Sequence, residues 1–320
     1  MIEREIEVNT GEVMLSGTLC LPPGEGPFPC VLMIHGSGPL DRDENARQFR
    51  FITTKLNVFN NIAEYLAPLG IASLRYDKRG CGRSSGNYDE AGFRDLTWDA
   101  TATYGFLTGQ QSIRKGSIFL LGHSEGALIA PKIATEYPRI AGLILLAAPA
   151  QNLAEALRYQ GRKIKEDIER GGGLNRRIIR LTWRLLGDPV STQEAMIERV
   201  RTTDEDSFRY KLQKINAKWL REHLNESPAD TLRKVSCPIL VINGDKDIQV
   251  DPQDAVRIAE FAKGDVEHHI LPDLTHILRA DEGPPSILSY KKLLRKTMEY
   301  SVLDLIGTWF QRILRETAAS

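Results

Sequence analysis

An imbalance of charge is the first thing this 320-residue sequence lacks. Its 42 Lys and Arg are matched by 42 Asp and Glu, so no net field draws the whole chain towards nucleic acid or an anionic surface. Cysteine is scarce. Cys20, Cys30, Cys81 and Cys237 have the spacing of neither a zinc site nor a dense disulfide framework, which reads as a reduced, cytoplasmic chain. Long apolar runs are missing too. The longest, residues 140–150, is too short to span a bilayer and suits a buried strand. The first eight residues alternate charged and apolar side chains without the apolar core of a signal peptide. Internal repeats and low-complexity tracts are absent. The glycine spacing of Arg79-Gly80-Cys81-Gly82 fits neither a P-loop nor a dinucleotide fingerprint. The expected cofactor is none, and so is the expected metal.

What is present is a regular alternation. Residues 2–8 and 13–20 alternate apolar and polar around Asn9-Thr10-Gly11 and predict a hairpin at a sheet edge. Largely apolar runs at 30–34, 117–121, 140–147 and 238–242 predict strands of the kind covered on both faces in a parallel sheet, and residues 71–76 predict a further strand. Helical spacing lies between them at 59–69, 93–108 and 127–134, and again at 255–262. The fold class is therefore α/β, a mostly parallel, doubly wound sheet. Residues 150–232 break the pattern. They are rich in Arg, Lys, Glu and Leu, contain no strand-like run, and predict a helical cap inserted over the sheet edge. Within it, residues 178–186 are expected to pack an apolar stripe on a core, a basic face at a membrane surface being the alternative. The organisation expected is a core of residues 1–149 and 233–320 with a cap of 150–232. Residues 288–315 should form a helix with Tyr300 and Trp309 buried.

The stretch that carries chemistry is Gly122-His123-Ser124-Glu125-Gly126, set between a buried strand and a helix. Strand, sharp turn and helix is the context in which G-x-S-x-G holds a nucleophile. The turn strains the serine backbone and brings strand and helix so close that only glycine fits at its ends. A serine hydroxyl needs a base, and the base needs an orienting carboxylate. Asp245 and Asp247 follow a later strand. Asp247 lies far enough past the strand end to turn back towards the serine, whereas Asp245 suits capping the turn. Of the histidines, His276 lies in a loop after the last short strand and is the candidate base. His268 and His269 fall inside that strand, His123 lies in the turn itself, and His223 is expected to face solvent in the cap. A second glycine-rich turn, His35-Gly36-Ser37-Gly38-Pro39, also follows a buried strand and brings backbone N–H groups into the open, where one can meet an oxyanion with the N–H of Glu125. His35 is expected to hold that loop by hydrogen bonds. Residues 40–45 read as a solvated loop, a rim to the site being the alternative, and Asp77 and Arg79 as braces of neighbouring loops.

Taken together, HGSGP at 35–39, DRDE at 41–44, RYDKRG at 75–80, GHSEG at 122–126, GDKD at 244–247 and His276 resemble the α/β-hydrolase superfamily. Within it they resemble bacterial serine carboxylesterases and related hydrolases. The resemblance covers the sheet and hardly touches the cap. It implies Ser37 as the loop donor to the oxyanion, with Gly38 as the alternative. One departure is Ile277 directly after the histidine, where many relatives have an aromatic or small residue.

The expectation is a serine hydrolase that cleaves a small-molecule carboxylic ester of short to medium acyl chain through an acyl-enzyme on Ser124. A peptidase or thioesterase on the same residues is the first alternative, with Glu166, Asp167 and Glu169 as the acids that could anchor a peptide terminus. A non-catalytic ligand-binding receptor on a hydrolase fold is the second. No nucleic acid and no membrane span are expected, and the sequence does not specify an oligomeric state.

Overall fold

Apolar runs without alternation become strands buried on both faces. The computed structural model describes residues 1–49, 52–210 and 213–319. Its strands are β1 (Ile2–Asn9), β2 (Met14–Leu21), β3 (Phe28–Ile34), β4 (Ala46–Phe49), β5 (Ile52–Thr54), β6 (Ala72–Tyr76), β7 (Ile113–His123), β8 (Gly142–Leu146), β9 (Ser207–Tyr210), β10 (Gln213–Asn216), β11 (Ile239–Gly244) and β12 (Val266–Leu271). Its helices are α1 (Val58–Leu66), α2 (Phe93–Thr108), α3 (Gly126–Glu136), α4 (Leu153–Arg170), α5 (Leu174–Leu186), α6 (Pro189–Thr202), α7 (Ala217–Leu224), α8 (Pro228–Leu232), α9 (Asp254–Phe261), α10 (Tyr290–Leu293) and α11 (Tyr300–Ala319).

Eight strands form one sheet in the order β1-β2-β6-β3-β7-β8-β11-β12. The β1–β2 hairpin is its antiparallel edge, and every pairing from β6 to β12 is parallel. This is the doubly wound α/β-hydrolase fold expected from the sequence. Successive side chains of a strand point to opposite faces. In β3, Cys30, Leu32 and Ile34 meet the layer of α2, α3 and α9, while Val31 and Met33 meet α1 and α11. Phe119 and Leu121 of β7 join the second layer, where Trp309 and Phe310 pack edge-on against Phe119.

The carboxyl ends of β3, β7, β11 and β12 open towards the same end of the sheet. Each is followed by one of the loops singled out above, which is the position where open α/β sheets bind ligands.

The structure departs from expectation in five places. Residues 288–315 are not one helix: α10 ends at Leu293 and α11 begins at Tyr300. Residues 207–216 hold the short antiparallel pair β9–β10 inside the stretch expected to be helical throughout. That stretch, α4 to α8 with β9 and β10, leaves the sheet after β8 and returns at β11. Helix α5 buries none of its residues, so its apolar stripe does not pack on a core. Tyr300 is exposed although Trp309 is buried, because it stands at the first turn of α11 and meets only Tyr65 edge-on. Residues 40–45 are not a solvated loop: Arg42 bonds to Asp77 through its backbone N–H (2.8 Å) and its guanidinium (2.9 Å), and Glu44 is completely buried. Arg79 does act as a brace, through Asp99 at 2.7 Å.

Candidate active site

The chain enters the turn from β7 and leaves it as α3. Between them Ser124 has φ +52°, the left-handed region a non-glycine residue adopts only when its surroundings hold it there. Ser124 N–H donates to the Leu146 carbonyl at 2.9 Å, tying the turn to β8. A side chain on Gly122 would run into the backbone of Gly126 and Ala127, and one on Gly126 into the Ile34 carbonyl. The two glycines are therefore a packing requirement of this turn.

Asp247 and His276 come together from the loops after β11 and β12. Asp247 Oδ2 lies 2.7 Å from His276 Nδ1, and both side chains are buried. The other oxygen, Oδ1, accepts the N–H groups of Gln249 (2.7 Å) and Val250 (2.9 Å), which fixes the carboxylate. A proton on Nδ1 facing Asp247 leaves Nε2 as the acceptor. His276 and Ser124 line one cavity of about 120 Å³ together with Ser37, Glu125, Leu128 and Trp219. Asp245 is exposed, His268 is exposed, and His269 pairs with Glu267 at 2.9 Å, so none of these three belongs to the site.

In the loop after β3, Gly36 N–H donates to Glu44 Oε1 (2.8 Å) and Gly38 N–H to the Tyr88 hydroxyl (2.8 Å). The Gly38 alternative is thereby occupied, and Ser37, between the two, is the loop residue that lines the cavity. His35, expected to hold the loop by hydrogen bonds, has no partner within hydrogen-bond geometry on either ring nitrogen among the described residues. Its ring is enclosed by Phe59 and Tyr76, at centroid distances of 5.1 and 4.9 Å, and burial pulls its pKa down to about 4.

Six side chains important to this geometry, those of His123, Glu44, Glu125, Lys78, Trp219 and His223, have roles not apparent from the sequence motifs. His123 Nδ1 lies 2.8 Å from Glu44 Oε2, and its Nε2 donates to the His276 carbonyl at 3.0 Å. Burial alone would raise the Glu44 pKa, but the facing imidazole outweighs it and holds the carboxyl below its usual range. Burial likewise opposes charge on His123, and the Glu44 carboxylate raises its pKa regardless. Glu125 forms a second buried pair, with Lys78 at 3.1 Å, and Lys78 also donates to the Gly36 carbonyl at 2.6 Å. The remaining Glu125 oxygen accepts the indole N–H of Trp219 at 2.7 Å, linking α7 to the turn. His223 is buried rather than solvent-facing. It stacks on Phe93 at 4.6 Å, lines the cavity, and leaves both ring nitrogens without a hydrogen-bond partner among the described residues. Burial lowers its pKa. Lys78 sits in a charge-dense turn two residues past β6, a signal present in the sequence, whereas the run of charges at 41–44 does not mark Glu44.

The acids considered as peptide anchors lie elsewhere. Asp167 is held by Arg176 (2.7 Å) and Ser286 (2.7 Å), Glu166 pairs with Arg170, and neither lines the cavity beside Ser124. Among the described residues no group of three His, Cys, Asp or Glu is arranged to hold a metal ion, and no helix is long and apolar enough to cross a membrane.

A sequence model of the family described as serine aminopeptidase, S33, matches residues 52–283. The chain is 26% identical over 311 residues to Esterase EstD of Thermotoga maritima, covering 96% of this chain and 67% of that protein. Among solved structures it is similar to Est1E from Butyrivibrio proteoclasticus with ferulic acid bound, at TM-score 0.62, 19% identity and coverage of 98% and 100%. It is also similar to a proline iminopeptidase of Mycobacterium smegmatis, at TM-score 0.62, 15% identity and coverage of 99% and 100%. Identities this low establish a shared fold.

Proposed function

Because the chain belongs to the serine aminopeptidase S33 family, we propose that it is a serine hydrolase whose substrate is a small carboxylic ester of short to medium acyl chain, cleaved through an acyl-enzyme on Ser124. The observation that carries this reading is the 2.7 Å contact between Asp247 and His276, with His276 lining the same cavity as Ser124. His276 takes the Ser124 proton as the hydroxyl oxygen attacks the ester carbonyl. The backbone N–H groups of Ser37 and Glu125 hold the oxyanion, a donor of this kind contributing about 3–4 kcal/mol. The imidazolium, oriented by Asp247, then protonates the leaving alcohol. Water repeats the cycle on the acyl-enzyme and releases the acid and free Ser124. All of this is performed by the chain's own groups.

Two features support an ester over a peptide. An aminopeptidase must meet the substrate's ammonium group with an available carboxylate. Of the described residues lining the cavity, Glu125 is the one acid, and both its oxygens are engaged by Lys78 and Trp219. Beside the two serines, the two histidines and Trp219, the lining is Leu128, Pro149, Leu153, Ala156, Leu157 and Val250 with three neutral glutamines. The volume, about 120 Å³, is close to the roughly 150 Å³ of a protein cavity that takes up benzene, which suits a short acyl chain. The similarity to an esterase from Thermotoga maritima supports the same reading. The four free thiols, three of them buried, support a reducing, cytoplasmic setting.

The family description keeps aminopeptidase as the second reading. Turnover of p-nitrophenyl esters from acetyl to palmitoyl, with Ser124→Ala alongside and aminoacyl anilides as competitors, decides between them. Ester turnover that is greatest for short chains and vanishes in Ser124→Ala is expected. Turnover of anilides alone would overturn the ester assignment.

A further inference from the structure

Zero net charge conceals a local excess. Residues 158–184 contain nine Lys and Arg against three acids, and α5 itself has four arginines and no acid. Along α5, Leu174, Ile178, Leu181 and Leu185 recur at helical spacing and form one row about 16 Å long. Their exposures are 72%, 52%, 60% and 82%. The opposite side of the helix, with Ile179 and Trp183, is half-buried towards the protein. The outward row is therefore an unpartnered apolar surface, of the kind that marks an interaction site.

Its surroundings indicate the partner. Arg177 and Arg184 are exposed on one edge of the row, with Arg180 beside them. Arg176 is held by Asp167, whereas the other three arginines have no acid within ion-pair reach among the described residues. Aliphatic side chains bordered by arginines are the pattern of a helix lying in a membrane interface, where guanidinium groups bind lipid phosphates by paired hydrogen bonds. A two-fold contact with a second copy would bring two arginine edges together and repel. Helix α4 links this surface to the site. Its Leu153, Ala156, Leu157 and Gln160 line the cavity beside Ser124, and its far end leads through Gly171-Gly172-Gly173 into α5.

We propose that α5 docks on an anionic lipid bilayer, with the Leu174, Ile178, Leu181 and Leu185 row in the headgroup boundary and Arg177, Arg180 and Arg184 on lipid phosphates. The docking itself does not depend on the hydrolase reading. If that reading also holds, the enzyme meets esters dissolved in the membrane.

The experiment is cosedimentation of the full chain with vesicles of phosphatidylcholine containing about one-third phosphatidylglycerol, and with pure phosphatidylcholine. Binding to the anionic vesicles should exceed binding to the neutral ones by more than about tenfold and weaken with salt. Arg177→Gln/Arg184→Gln should weaken it roughly 30-fold, at about 1 kcal/mol per arginine near the surface. Leu181→Asp/Leu185→Asp should weaken it at least about tenfold with an unchanged melting temperature, since both side chains are exposed. Absence of binding to anionic vesicles would overturn the proposal, as would wild-type binding by the Leu181→Asp/Leu185→Asp variant. A wild-type dimer that this variant splits, without vesicle binding, would also overturn it and assign the row to a second copy.

Discussion

Glu44 and His123 face each other at 2.8 Å in the interior beneath the site, and both of its flanking loops hang from them. Glu44 holds the N–H of Gly36, next to Ser37, and His123 holds the carbonyl of His276. One buried pair thus sets the separation of the proposed oxyanion donor and the proposed base.

Removing that pair should damage turnover more than substrate binding. Glu44→Gln is expected to lower kcat about 10–100-fold with KM little changed, since displacements of around 1 Å cost that much. It should also destabilise the fold by about 3–5 kcal/mol, because a buried imidazolium loses its counter-charge. Steady-state kinetics and urea unfolding at pH 7 measure both. A proportional change in KM alone would show that the pair does not position the reacting groups.

The same pair gives a pH window with a definite sign. The contribution of Glu44, whose pKa is lowered, is present above the ordinary carboxylate value and is lost as pH falls through its depressed value. The contribution of His123, whose pKa is raised, is present below the ordinary histidine value and is lost as pH rises through its elevated value. His35 acts in the opposite sense to His123. Its folded pKa is about 4, so the unfolded chain binds its proton first, and stability falls as pH drops below about 6.5. Between pH 6.5 and 5 this loss amounts to about 2 kcal/mol. Urea unfolding of wild type and His35→Gln at the two pH values measures it. The variant should lose correspondingly less, and an identical loss would rule out His35 as the source.

His223 lines the cavity from a position stacked on Phe93, and neither of its buried ring nitrogens has a hydrogen-bond partner among the described residues. A buried polar group without a partner is available to a ligand. His223→Phe should raise KM roughly 3–10-fold for esters with a hydroxyl or carbonyl in the acyl part, the range of one hydrogen bond, and leave p-nitrophenyl butyrate unaffected. An equal change for both esters would mean that His223 only packs.

The elements that carry the site are legible in the sequence because their causes are local. Gly122 and Gly126 declare the turn around Ser124, and the apolar runs before residues 124 and 247 declare strands whose ends face one way. Glu44 is not legible in this manner. A run of four charges reads as solvated, and what buries it is His123, 79 positions further along the chain. His223 is hidden for the same reason, since Phe93, 130 positions earlier in the chain, stacks on it. Strands β9 and β10 are four residues each, too short for the alternation in Ser207-Phe208-Arg209-Tyr210 to stand out. The periodicity of α5 is plain, but amphipathic spacing states only that a face is apolar and leaves open what covers it.

The most direct test of the proposed function is to trap the covalent intermediate. A reaction with p-nitrophenyl butyrate is quenched within the first turnovers and the protein is digested and mapped by mass spectrometry. A butyryl group on the peptide containing Ser124, absent from Ser124→Ala and far slower to form in His276→Ala, is the predicted result. Full ester turnover by Ser124→Ala, or an acyl group carried by a different residue, would contradict it.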